Sequence, residues 1–288
     1  MSNPRIPFVM ASERAPLAGP DGKTILVHLV VNVEHWRFDA AMPRKVIPAP
    51  HGIEQVPDVP NFAWAEYGMR RGLPRLLKTI DARGLAASTS INTSAIAAYP
   101  TAAEAMLKAG WEFIGHGIHQ RAVQGEDDEA MLIDEALGIL RNFTGAPVRG
   151  WLSPGLRETA DSPDNLKAAG IDYVCDWVLD DLPCWMTTAH GPLIAMPYAL
   201  EVNDSVIYAV EHHAGPEMER RLRDTLSCFV VEPGPHVLAI GLHPHLIGVP
   251  HRIAILTRIL DLLQAHDDVA FLTGSQIADW YAAAEPAP

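Results

Sequence analysis

Three apolar runs in this sequence each end at histidine: HLVVNVEHW at 28–36, WEFIGHGIH at 111–119 and VLAIGLHPH at 237–245. Imidazole titrates near neutrality, so it can take or give a proton, and in its neutral form it binds metals. A carboxylate, Glu34, adjoins the first of these histidines. Glu34, His35, His116, His119, His243 and His245 therefore offer acid–base or metal-assisted chemistry, provided distant parts of the chain bring them together. Runs so rich in Val, Ile, Leu and Phe read as strands buried on both faces, as in a parallel sheet. Proteins of that class carry their chemistry beyond the carboxyl ends of the strands. The spacing predicts one pocket, and an enzyme of hydrolytic type is the expected owner.

The elements that must position these residues alternate along the chain. An arm rich in Pro, Ser and Gly (1–23) leads into the strand TILVHLVVNV, and a Pro-rich loop without helical or strand period follows at 37–61. So long a loop is expected to be a lid, a binding loop or a subunit contact. FAWAEYGMRRG and PRLLKTIDARG read as helical, with Pro74 suited to a first turn. Strands are then predicted at AASTSINT, WEFIGH, VRGWLS, IDYVCDW, LIAMPY, SVIYAVEH, HVLAIGLH and VAFLT, with helices between most of them. A last helix, SQIADWYAAA, is expected to take Ser275 as its N-cap. About eight strands alternating with helices predict an α/β fold, a (β/α) barrel with some distortion, in one catalytic domain over 1–288. The open doubly wound sheet is the alternative, disfavoured because no GxGxxG or P-loop follows the first strand.

Bulk properties narrow the partners. The 288 residues are 48% hydrophobic and 20% charged, with a formal charge of −13. That describes a compact globular protein, and argues against nucleic acid and anionic membrane as partners, which demand basic surfaces. No Lys/Arg cluster in the sequence marks a basic cleft. Cys175, Cys184 and Cys228 lack metal-type spacing and are expected to be reduced thiols. The first twenty residues lack a signal-peptide core, so the expected location is the cytoplasm. A homo-oligomer, dimer or tetramer, is the expected assembly.

On the barrel reading the strand ends supply Asn32, Glu34, Ser90, Asn92, His116, Trp151, Ser153, Asp176, Tyr198, His243 and Thr273. The segment HGIH contains Gly117 and follows a strand, so it is expected to be a loop. If a divalent metal (Zn or Mn) is bound, its ligands are expected to be His116 and Glu34, with His119 as a further ligand. His243, held by the following Pro244, is the expected general acid. Asp181 or Asp176 could orient an imidazole. Trp151, Trp177 and Trp185 are candidates to wall an apolar pocket. Arg157 and Tyr198 are candidates to hold a substrate carbonyl or carboxylate.

The stretches VNVEHW, AEYGMRRGLPRLL, AMLKAGWEFIGHGIHQ, GWLSPGLRET, DWVLDDLPCW, MPYALEVND and GLHPHLIGVPHR resemble the NodB-type polysaccharide deacetylase superfamily. The resemblance covers roughly residues 24 to 282. Within the superfamily, EYG-x-R-x-G, DDLP-x-W and PY-x-L-x-x-ND are similar to the allantoinase and cyclic imide hydrolase (imidase) branch. The resemblance implies a distorted, TIM-like (β/α) barrel. It also implies a general acid at His243 and, in the sugar deacetylases, an Asp base with an Asp-His-His metal set. This sequence departs from that set: Asn32 stands at the base position, Glu34 at the metal Asp and Gln120 at the second His. The implied reaction is hydrolysis of a ring C–N bond in a small cyclic imide or ureide, with Glu34 as base and Asn32 as an oxyanion donor. Catalysis with one divalent metal and catalysis without metal both stand open. Saccharide N- or O-deacetylation and a non-catalytic binding protein are the alternatives.

Overall fold

The computed structural model describes residues 3–288. Nine strands form one sheet: β1 Ile25–Val33, β2 Ser88–Ile91, β3 Glu112–Gly115, β4 Gly150–Trp151, β5 Tyr173–Val174, β6 Cys184–Met186, β7 Leu193–Ala195, β8 His236–Leu242 and β9 Val269–Phe271. Their order is β6-β7-β5-β4-β3-β2-β1-β8, with β9 also paired to β1. Every pairing is parallel except β6 with β7. Between the two edges the curl is bridged where Asn203 pairs with Gly241, and where the Val237 N–H donates to the Asp181 carbonyl. The result is an α/β fold with a distorted, TIM-like barrel, as the alternation predicts.

The helices are α1 Val59–Tyr67, α2 Leu73–Asp81, α3 Ser94–Ala98, α4 Pro100–Lys108, α5 Glu129–Thr144, α6 Ser162–Ala168, α7 Glu217–Phe229, α8 Pro250–Gln264 and α9 Gly274–Ala284. None is long and apolar enough to cross a membrane. Every residue of β1 is buried, because the strand is flanked on both sides and covered on both faces. Its side chains divide by the period of two that a strand imposes. Ile25, Val27, Leu29, Val31 and Val33 pack among the helices. Leu26 and Val30 pack inside the barrel with Ile114, Tyr173, Tyr198 and Ala239. Continuing the inward series past each strand end brings Glu34, Asn92, His116 and His243 to the mouth.

Two local expectations are corrected. SVIYAVEH is not a strand: Val206–Val210 forms a wide helical turn with Ile207 and Tyr208 buried. A short β-branched apolar run has no period that separates buried helix from buried strand. Here the Asn203 side chain accepts from the Ser205 N–H and starts the turn. The last helix is capped by Thr273, which forms a capping box with Gln276, and not by Ser275. Ser275 instead donates to Glu112, which also accepts from Tyr173 Oη at 2.9 Å.

Candidate active site

His243 is held between two carboxylates. Its Nδ1 meets Asp204 Oδ1 at 2.6 Å and its Nε2 stands 3.5 Å from Glu34 Oε1. Asp204 Oδ2 also accepts the backbone N–H groups of His243 (2.7 Å) and Ile247 (3.2 Å), which fixes the turn after β8. The side chains of Asp204, His243 and Glu34 are 0%, 6% and 7% exposed. Burial alone would strip the proton from His243, but Asp204, and then Glu34, outweigh it and raise its pKa to about 9. Burial likewise opposes the charge on Glu34, yet the neighbouring imidazolium holds its pKa down to about 2. The site therefore rests as an imidazolium between carboxylates.

His116 has the opposite character. Its Nδ1 donates to the Leu152 carbonyl at the end of β4, and burial lowers its pKa. The ring is neutral, with a lone pair left on Nε2, an atom buried without a partner. Gln120 stands beside both: its Nε2 donates to Glu34 Oε1 at 2.8 Å, and its nearness to His116 favours the charged ring less than burial opposes it. Buried polar atoms without partners collect here: Glu34 Oε2, Trp36 Nε1, Arg44 Nη1, His116 Nε2, Gln120 Oε1 and His245 Nε2. Buried polar atoms are normally paired, so such a cluster marks a place for something that binds. Glu34, Trp36, Arg44, Gln120, Arg121 and Arg157 line a pocket of about 200 Å³.

The glycines of the EYG-x-R-x-G stretch have a steric reason. A Cβ on Gly68 would stand 2.5 Å from the His245 nitrogen, and one on Gly72 would stand 1.9 Å from the Pro244 carbonyl oxygen. The turn from Gly68 to Gly72 can therefore press against the HPH segment only without side chains, and this contact sets where His243 sits. His245 is wedged between Trp36 and Trp64, with ring centroids at 5.3 and 4.7 Å, and burial holds its pKa down to about 3. It packs as a neutral ring.

The other sequence candidates divide sharply. Asn32 is locked: its Nδ2 donates to Tyr198 Oη (2.9 Å) and the Leu242 carbonyl (3.3 Å), and its Oδ1 accepts from Ser90 Oγ (2.6 Å). Both amide hydrogens are engaged, so it has none left for an oxyanion. Tyr198 props Asn32 instead of meeting a ligand. Trp151 is 1% exposed beneath the mouth, its Nε1 bonded to Ser153 Oγ. Trp177 donates to Glu158 Oε2 at 2.7 Å. Asp176 accepts the Ser153 N–H with both oxygens, and burial beside it keeps Glu158 protonated well above the usual carboxylate range. That pair anchors the turn carrying Leu152, and so the tautomer of His116.

His119 is exposed and tilted against His35 at 5.8 Å, away from Glu34. Gly117, at φ +67°, turns the loop so that residues 116 and 120 converge and residue 119 does not. Asp181 lies at the start of β8, the opposite end from His243, because its carbonyl pairs with Val237. Trp185, on the antiparallel β6, packs on Tyr281 at 5.5 Å and donates to the Glu285 carbonyl. The imidazole is oriented by Asp204, which sequence reading did not single out although it ends the MPYALEVND stretch. Arg44 was equally silent within the Pro-rich loop.

For a divalent metal the site offers Glu34 Oε2 and His116 Nε2, with only an amide oxygen in third place. Among the described residues no three His, Cys, Asp or Glu side chains come together as ligands. A catalytic zinc takes three ligands of imidazole, thiolate or carboxylate type. The charges of His243 and Arg44 already act on the same carboxylate. The residues do not fit a catalytic Zn or Mn set, and no step below passes through one. Chelator treatment followed by desalting is expected to leave turnover unchanged; loss of activity restored by Zn²⁺ or Mn²⁺ would contradict this.

The comparisons with known proteins agree with this fold. Residues 65–174 match the family model for polysaccharide deacetylases. No curated protein matches the chain. The crystal structure of PuuE allantoinase is 26% identical, with a TM-score of 0.87 over 100% of both chains. A protein described as a probable polysaccharide deacetylase, from Pseudomonas aeruginosa PAO1, is 27% identical. Its TM-score is 0.83 over 97% of this chain and 98% of that one. The CE4 domain of a multidomain xylanase from the hindgut metagenome of Trinervitermes trinervoides, 12% identical at a TM-score of 0.51, covers 89% of this chain and 90% of its own. At that identity it speaks for the fold alone. The chain is thus similar to the polysaccharide deacetylases over residues 65–174, and in its whole fold to PuuE allantoinase and to a probable polysaccharide deacetylase.

Proposed function

We propose that the chain opens a small cyclic imide or ureide by hydrolysing a ring C–N bond. The observation that carries this reading is the pairing of a loaded acid with a neutral base around one small pocket. His243 holds its proton to about pH 9, and His116 presents a free Nε2. Water loses a proton to His116 Nε2 as its oxygen bonds to a ring carbonyl carbon. Glu34, held ionised, serves better to orient that water and balance His243 than to take the proton itself. At the pocket Trp36 Nε1 is a buried donor without a partner, suited to the tetrahedral oxyanion. The ring C–N bond then breaks as the His243 Nε2 proton passes to the departing nitrogen. An amide N–H and a carboxylic acid result, and the two imidazoles reset by proton exchange with solvent. The 3.5 Å gap from Nε2 to Glu34 is loose enough for that proton to leave.

The likeness to PuuE allantoinase supports a ureide or related ring, and a pocket of about 200 Å³ suits a molecule of that size. The probable polysaccharide deacetylase among the matches keeps acetyl-amide hydrolysis as the competing reading. Turnover measured on succinimide, hydantoin, dihydrouracil, allantoin and a chitooligosaccharide separates them. Ring opening of at least one cyclic compound, with no acetate released from the oligosaccharide, is expected. Acetate release with every ring left closed would overturn the proposal.

A further inference from the structure

Three arginines from three separate segments line the pocket above Glu34: Arg44 from the Pro-rich loop, Arg121 after β3 and Arg157 after β4. Of the three, the sequence singles out Arg157 alone as a candidate for a substrate carbonyl or carboxylate, and the net charge of −13 conceals the gathering. Arg121 is occupied, paired with Glu126 at 3.2 Å and donating to the Gly125 carbonyl at 3.0 Å. Arg44 and Arg157 make no hydrogen bond or ion pair to protein among the described residues. Other guanidinium groups are tied to carboxylates, as in Arg5 with Asp164, Arg14 with Asp180, and Arg149 with Asp172 and Asp279, whereas Arg157 is exposed at the pocket rim. Arg44 Nη1 is moreover buried without a partner, a costly state for a donor on a charged group unless an acceptor arrives. Glu34 feels the charge of Arg44 without coming within ion-pair distance of it.

A guanidinium is a planar fork that matches a carboxylate. We infer that Arg44 and Arg157 form a carboxylate-binding subsite of this pocket. The inference rests on reading the pocket as a ring-opening site, and it narrows the substrate. The carboxylate is either a substituent on the ring or the group that ring opening creates.

Binding of succinamate, the opened form of succinimide, tests this without turnover, with neutral succinamide as the reference compound. Calorimetry on the wild type, Arg44→Gln, Arg157→Gln and the double variant should show the succinamate-to-succinamide affinity ratio falling about tenfold per substitution. Neither guanidinium is bonded to protein, so the unfolding midpoints should match and exclude misfolding as the cause. A ratio equal in all four proteins, or no succinamate binding by the wild type, would overturn the subsite. The ratio of kcat/KM for hydantoin-5-acetate over hydantoin distinguishes the two sources. A high wild-type ratio that collapses in the variants assigns the carboxylate to the ring. A ratio near one, with succinamate binding still dependent on the arginines, assigns it to the product. Arginine-dependent binding with every ring left unopened would keep the subsite and remove the ring-opening function.

Discussion

Turnover should fall about a thousandfold when His243 is replaced by asparagine, the scale expected for losing a positioned general acid. Asparagine is small enough for the site and can still donate to Asp204, so the fold should survive. It cannot supply a proton to a departing nitrogen. The loss should appear in kcat and kcat/KM together, because proton donation belongs to the transition state and not to ground-state binding. It should also shrink for rings whose nitrogen leaves readily as an anion. Turnover of His243→Asn within tenfold of the wild type would remove the residue from the mechanism.

Removing Asp204 should cost both stability and activity. In Asp204→Ala the imidazolium loses its closest counter-charge, and the His243 and Ile247 N–H groups lose their acceptor. Breaking a buried charge pair in this way costs about 3–5 kcal/mol. The pH dependence should change with it. The folded pKa of His243, about 9, lies above its ordinary 6.5, so its contribution to stability is full below pH 6.5 and is lost as pH rises through about 9. Glu34, at about 2 against 4.5, contributes above pH 4.5 and loses that contribution as pH falls through about 2. Urea unfolding of the wild type should therefore show stability declining on the alkaline side, and Asp204→Ala should lose most of that decline. The milder Asp204→Asn should shift the alkaline limb of activity downward, which a merely structural residue would not do. An unmoved limb would show that Asp204 does not set the proton affinity of His243.

The strand ends were legible because parallel strands buried on both faces announce themselves as unbroken apolar runs, and the period of two then fixes what lies inward. Glu34, His116 and His243 follow from that rule alone. Asp204 was hidden because it precedes SVIYAVEH, whose β-branched residues suit a strand as well as the wide helical turn they form. Arg44 was hidden because the Pro-rich loop has no period to say where any side chain points. Asp181 and Trp185 were misplaced for a related reason. Nothing in DWVLDDLPCW shows that the chain leaves the mouth, runs to the start of β8 and returns as the antiparallel β6. His119 and Gln120 exchange importance through one glycine, Gly117, whose left-handed turn decides which of them faces Glu34.

The most direct test of the acid–base account is kcat/KM against pH for the chelator-treated wild type. Its substrate should be a ring whose own N–H does not ionise in the range studied. The account predicts a plateau between an acid limb below the ordinary histidine value of 6.5, from His116, and an alkaline limb near 9, from His243. A rate that keeps rising through pH 9, or that vanishes on chelation, would contradict it.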